Sequence, residues 1–325
     1  MRISFPGLVD LQVNGFAGID FNTPGRPPEQ LATAFAAMRT RGVTRCLPTL
    51  ITSSFERFAA CARALAACND PAIAGLHMEG PYLSPIDGAR GAHPLAHVIP
   101  PSLDDFLRRQ DAAGGRIVLV TLAPEVPGAL ALIEALAARG IRVAVGHTLA
   151  GREQIRDAVS AGATLSTHLG NGCPAQLPRH PNVIWEQLAE DGLSASLIVD
   201  GHHLPPSVVK SMIRAKGLAR SILVTDAVAA ACAPPGRYQL SDMEVVLDVT
   251  GRVSAAHANH LAGSSLALDT AVANTARFCG LALEEVLPLA TTNPARLIGI
   301  APAGQVTAEW NPESCHLTLL HVTGD

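Results

Sequence analysis

The sequence predicts an α/β protein built as a (β/α)8 TIM-type barrel, and three observations carry that prediction. Short Val/Ile/Leu-rich runs alternate with Ala/Leu/Arg-rich stretches of helical period. The runs are continuously apolar rather than alternating, as in a parallel sheet covered on its outer face. Four of them end on a chemically active side chain: Glu79 in HMEG, His147 in VAVGH, His168 in LSTH and Asp226 in LVTD. One functional group per strand end is the layout of a barrel active site. The competing architecture, an open doubly wound sheet, usually carries a Gly-rich turn after its first strand. Here that position reads NGFAGIDFN, without the required glycine spacing.

Strands are expected at 7–13, 43–50, 73–78, 116–122, 141–146, 163–167, 195–199 and 221–225. Amphipathic stretches at 28–41, 55–68, 103–113, 128–139, 152–161, 183–190 and 206–215 fall between them. Ser54 and Ser102 stand where helix N-caps belong, and Gly42 and Gly140 just past helix ends. After the eighth strand the rhythm breaks. GRYQLSDMEVVLDVTGRVSAAH alternates apolar and polar residues around the turn signal VTG, so a β-hairpin insertion is expected near 236–260. Helices at 265–279 and 283–290 follow, and CHLTLLHV reads as a strand. The barrel is therefore assigned to 1–300 and a C-terminal β piece to 301–325.

Composition narrows the function classes. With 325 residues, 48% apolar and 16% charged, the chain can fill one large core and is not disordered. A net charge of −4 with no basic run argues against a nucleic-acid or membrane surface. No apolar run approaches the roughly 18 residues that spanning a bilayer requires, and MRISFPGLVDLQVNG lacks the organisation of a signal peptide. The seven cysteines form no CxxC pair and have mostly apolar neighbours, which reads as reduced core thiols. The expectation is a soluble, cytoplasmic protein.

Taken singly, Glu79 reads as a rim glutamate and His147 and His168 as buried imidazoles bonded to backbone. On three predicted strand ends together they form a carboxylate and two imidazoles. That set suits one divalent ion, Zn2+ or a similar ion such as Fe2+, Co2+ or Mn2+, with one position left open for water. A site bridging two metals through a lysine is excluded, because neither of the two lysines, Lys210 and Lys216, ends a predicted strand. Asp226, alone a turn or N-cap aspartate, would face the same cavity and could move a proton from water to a leaving group. His93 and His203 sit in loops at the same mouth, as exposed polar residues or as substrate contacts. Arg179 is solvated by default, but a guanidinium also suits a bidentate anionic group.

Read in order, PGLVDLQVNG, HMEGPYLSP, GAHP, VAVGHT, THLGNG, DGHH, LVTDA, LAGSSL and TTNPARLIG resemble the amidohydrolase superfamily. Within it they resemble the N-acetylglucosamine-6-phosphate deacetylases, from about Pro6 to Ile300. Most of the superfamily has His-x-His after the first strand, whereas this chain has Gln12-Val13-Asn14, the form of one branch of these deacetylases. The resemblance implies one tightly held metal on Glu79, His147 and His168, with Gln12 and Asn14 at a weak second-metal position. It implies Asp226 as the catalytic aspartate, His93 as the carbonyl-polarising histidine and His203 as a sugar contact. Phosphate contacts fall on Asn171, Gly172 and Arg179, the last from the neighbouring subunit of a homodimer. Three departures stand out. The family carries a small β domain before the first barrel strand, so 301–325 is expected to be an unpaired remnant of it, unless the true start lies upstream. LGNGC after His168 replaces bulkier family residues, and SPIDGARGA between Glu79 and His93 is inserted in the wall.

The leading functional expectation is metal-dependent hydrolysis of the N-acetyl amide of an amino-sugar phosphate. The alternatives are a deacylase of a non-phosphorylated sugar or amine, and a non-catalytic sugar-phosphate-binding protein.

Overall fold

Eight parallel strands take the places that the apolar runs predict: Leu8–Val13, Val43–Ile51, Leu76–Glu79, Ile117–Leu122, Arg142–Val145, Ala163–Ser166, Ser194–Ile198 and Ser221–Val224. The structure, a computed structural model, describes residues 1–257 and 260–324. The strands are neighbours in chain order, and helices cover the outside, so the third and eighth are buried along their whole length. Two expected N-caps form: Ser54 Oγ accepts from Arg57 N and Ser102 Oγ from Asp105 N, contacts worth about 1 kcal/mol each. One helix, Thr292–Ile298, falls in the TTNPARLIG stretch, where none was expected.

The sheet closes between its first and eighth strands by side-chain as well as backbone bonds. Val13 and Ala227 form a parallel bridge, and Asp226 N donates to Gln12 O at 2.9 Å. Asp10, completely buried, accepts from Thr225 N at 3.2 Å and Thr225 Oγ1 at 2.6 Å. Burial pushes the Asp10 carboxyl up to about 7, against the pull of those hydrogen bonds.

Two expectations are corrected. The tail is not an unpaired remnant: Gln305–Asn311 pairs antiparallel with both Arg2–Pro6 and His316–Thr323, in a three-stranded sheet. Val306, Ala308 and Trp310 are buried and alternate with exposed or half-buried residues, so one face of this strand is packed while the strands on either side take up its backbone hydrogen bonds. The insertion is a three-stranded meander, Gly236–Leu240, Met243–Leu247 and Val253–Ala255, rather than a single hairpin. The overlooked turn is at Ser241-Asp242, where Ser241 takes a left-handed φ of 55°. Ser241 N donates to Asp20 Oδ2 at 2.9 Å, and Asp242 pairs with Arg57 of a barrel helix, holding the meander over the mouth. Residues 258 and 259 of the expected hairpin lie outside the described residues.

Both lysines sit on the helix Pro206–Lys216. Buried Lys216 donates to Gln187 O and Glu190 O at 2.8 and 2.7 Å, closing the end of the helix Val183–Ala189. Among the described residues no helix is long and apolar enough to cross a membrane.

Candidate metal centre

One backbone device places three of the four strand-end residues. His147, His168 and Asp226 each lie two residues past a strand, and each has a positive φ, 51°, 31° and 49°. A left-handed turn at a non-glycine residue costs about 1–3 kcal/mol and clusters at functional sites. Repeated at strands five, six and eight, it turns the chain over the barrel mouth. Glu79 needs no such turn, being the last residue of its own strand.

The resulting cluster is tight and buried. Glu79 Oε1 lies 3.0 Å from His168 Nε2 and 3.3 Å from His147 Nε2, and the two imidazole nitrogens are 3.1 Å apart. Atoms ligating one ion tetrahedrally at zinc–nitrogen lengths of ~2.0–2.1 Å stand about 3.3 Å apart, so the donor set fits a divalent cation. Ala89 O, 3.0 Å from His147 Nδ1, accepts from that nitrogen and orients the ring with its Nε2 toward Glu79 and His168. His168 Nδ1 is buried without a partner. Glycine is required beside this ring: a Cβ on Gly172, which has a φ of 58°, would meet His147 Nδ1 at 2.8 Å.

Electrostatics divide the carboxylates. Burial opposes charge on Glu79, but hydrogen bonds from His147 and His168 outweigh it and hold its carboxyl well below the usual range. His168 is correspondingly raised by Glu79, against its own burial. Burial, and then the charge of Glu79, push Asp226 up to about 6. Asp226 Oδ1 accepts from Asn14 Nδ2 at 2.7 Å and Gln12 Nε2 at 3.2 Å. Gln12 Nε2 also donates to Glu79 Oε1 at 2.9 Å, so one amide bridges the two carboxylates.

His93 joins the cluster, its Nε2 3.2 Å from His147 Nε2 and its Nδ1 2.9 Å from Thr52 Oγ1. Burial, and then His147, lower it to about 3, so the ring is neutral. His203 Nδ1 is held by Asp200 Oδ2 at 2.7 Å. Glu79, His93, His147, His168, Asn171, Gly172, His203, Asp226 and Asn14 line one cleft of about 430 Å³, within the size range of small-ligand sites. Exposed Arg179 does not line it. The inserted segment is part of the wall, through Gly88, Gly91 and Ala92.

Residues 3–311 match the Amidohydrolase family. The chain belongs to that family. It is 33% identical to the N-acetylglucosamine-6-phosphate deacetylase of Lysinibacillus sphaericus, over 99% of this chain and 84% of the relative. It is 35% identical to the N-acetylgalactosamine-6-phosphate deacetylase of Shewanella sp. (strain ANA-3), over 94% and 77%. In structure it is similar to the D267A mutant of the Mycobacterium smegmatis N-acetyl-D-glucosamine-6-phosphate deacetylase in complex with N-acetyl-D-glucosamine-6-phosphate. That match has a TM-score of 0.90 at 30% identity, covering 99% of this chain and 86% of the other. The expected barrel is borne out, and the family's metal dependence agrees with the donor set.

Sequence reasoning missed the residues behind the cleft. Thr52, the Ala89 carbonyl and Asp200 orient His93, His147 and His203. Beneath them His77, buried and lowered to about 4, bonds Thr121 Oγ1 at 2.7 Å. Only Asp200 had a signal, its place in DGHH.

Proposed function

We infer that the protein hydrolyses the N-acetyl amide of an amino-sugar 6-phosphate, releasing acetate, as the named relatives' activity suggests. The observation that carries this reading is the pairing of two differently charged carboxyls at one barrel mouth. The imidazoles hold the Glu79 carboxyl well below the usual carboxylate range, burial and Glu79 raise Asp226 to about 6, and Gln12 bridges the two. Glu79, His147 and His168 would hold a divalent cation, which we take to be one Zn2+ per subunit, and it would supply Lewis acidity toward the carbonyl and the water.

The chain's own groups do the rest. Both amides converge on Asp226 Oδ1, which leaves Oδ2 to take the proton of the attacking water and return it to the departing amine nitrogen. Neutral His93 donates from Nε2 to the carbonyl oxygen as negative charge develops. That tautomer requires the Thr52 hydroxyl to donate to Nδ1. His203, turned by Asp200, meets the sugar hydroxyls, and Asn171 and Gly172 meet the phosphate. Gln12 and Asn14 serve as hydrogen-bond donors to the carboxylates rather than as ligands of a second ion.

The family resemblance implies a homodimer in which Arg179, exposed and outside its own chain's cleft, reaches the partner's phosphate. Seven free thiols support a cytoplasmic setting. The test is acetate release by zinc-loaded protein from N-acetylglucosamine 6-phosphate, its galacto epimer and both sugars without phosphate. Release from the phosphorylated sugars alone is expected. Equal turnover of the neutral sugars would exclude the phosphate contacts, and no release from any sugar would exclude the activity.

A further inference from the structure

The cleft's lining is of two kinds. Asn171, Gly172 and His203 offer it polar groups, whereas Ile51, Ala92, Leu240 and Ala262 are apolar and cluster together. The apolar lining is not an extension of the barrel core. Ile51, Leu240 and Ala262 belong to a separate buried cluster with Val245 and Leu247 of the meander, and Ala92 packs against it. Ile51 and Leu240 are only 8% and 4% exposed. Ile51 is the register partner of Glu79 on the adjacent strand, and paired strands run roughly 4.8 Å apart. The apolar wall therefore begins one strand away from the metal-binding carboxylate.

Resting on the amide-hydrolase reading above, we propose that Ile51 and Leu240 form the subsite for the acyl methyl group and limit the substrate to short acyl chains. The amide carbonyl must lie at the Glu79, His147 and His168 cluster, beside which Ile51 stands. The phosphate and hydroxyls need the donors of the polar lining, because a buried polar group without a partner is costly. The acyl methyl has no polar atom, and it falls to the apolar lining. Leu240 is backed by the meander's packed cluster, so a longer chain cannot be admitted by a simple shift; filled interiors resist added methylenes. Each added methylene is expected to lower kcat/KM about 10- to 200-fold.

The experiment compares N-acetyl-, N-propionyl- and N-butyrylglucosamine 6-phosphate on zinc-loaded wild type, Leu240→Ala and Ile51→Val. The readout is the ratio of kcat/KM for the longer chain to that for acetyl. Lost fold or lost metal scales both substrates alike and leaves that ratio unmoved. Wild type should favour acetyl over butyryl by at least about 100-fold. Leu240→Ala should raise the butyryl ratio tenfold or more, and Ile51→Val the propionyl ratio severalfold. Ile51→Val removes one methylene only, so it still reads the subsite if Leu240→Ala fails to fold. Ratios unmoved in the folded variants, or butyryl turned over by wild type as fast as acetyl, would overturn the subsite and leave the deacetylase reading standing. No hydrolysis of any of the three by wild type would overturn both.

Discussion

Asp226→Asn should slow turnover at least about 10²-fold and at the same time stabilise the metal-free protein. The folded Asp226 carboxyl sits at about 6, above its ordinary 3.8, because burial and the neighbouring Glu79 charge disfavour ionisation. Between those values the folded protein holds a proton that the unfolded chain has released, so the group's contribution to stability falls as pH rises from 4 through 6. At about 1.4 kcal/mol per pKa unit, ionised Asp226 costs about 3 kcal/mol at pH 8. Asparagine removes that charge. Its Oδ1 still accepts from Asn14 and Gln12 as the carboxylate does, so the local structure is kept. It cannot take a proton, and a general acid–base group contributes about 10²–10⁴ in rate. Urea midpoints of the metal-free proteins at pH 4 and pH 8, zinc content, and acetate release together test this. The expected result is a more stable variant at pH 8 only, fully loaded with zinc and at least about 10²-fold slower. Turnover within tenfold of wild type at full zinc content would refute the proton-carrier role. An unchanged pH 8 midpoint would refute the electrostatic account.

Other substitutions probe the supports. Asp10→Asn should flatten the loss of metal-free stability between pH 4 and pH 8, an effect on the order of 4 kcal/mol, because Asp10 is raised to about 7 by burial; parallel pH profiles for wild type and variant would contradict it. Gly172→Ala puts a Cβ 2.8 Å from His147 Nδ1 and should weaken zinc binding about 10- to 100-fold in chelator competition, while unaltered affinity would show that the ring yields freely. Lys216→Met leaves the Gln187 and Glu190 carbonyls without their donor and should cost about 2–4 kcal/mol in urea unfolding; a smaller loss would mean that water replaces it. Arg179→Ala should raise KM for a phosphorylated substrate about tenfold or more, the loss of one charge-assisted pair, and an unchanged KM would remove Arg179 from the site.

The barrel was legible because a parallel strand covered on both faces must be a short continuous apolar run, and such runs as IRVAV and SILV stand out between helical stretches. Glu79, His147, His168 and Asp226 were legible for the same reason, since a polar group closing an apolar run must lie at the barrel's rim. The pairing of Arg2–Pro6 with Gln305–Asn311 was not. Short edge strands carry little pattern of their own, and their partner lies at the other end of the chain. The Ser241 turn was missed because a left-handed serine looks like any other serine in sequence.

By itself the sequence determined which residues close four of the eight strands, and through that the barrel and a donor set of metal-binding type. These are local properties, set by hydrophobic pattern and side-chain chemistry. Only tertiary structure decided that Gln12 bridges Glu79 to Asp226, that Thr52 and Ala89 hold His93 and His147, and that the meander gives the cleft an apolar side. Those contacts join residues 41 to 214 positions apart, and only the folded barrel with its mouth loops brings them within hydrogen-bonding range.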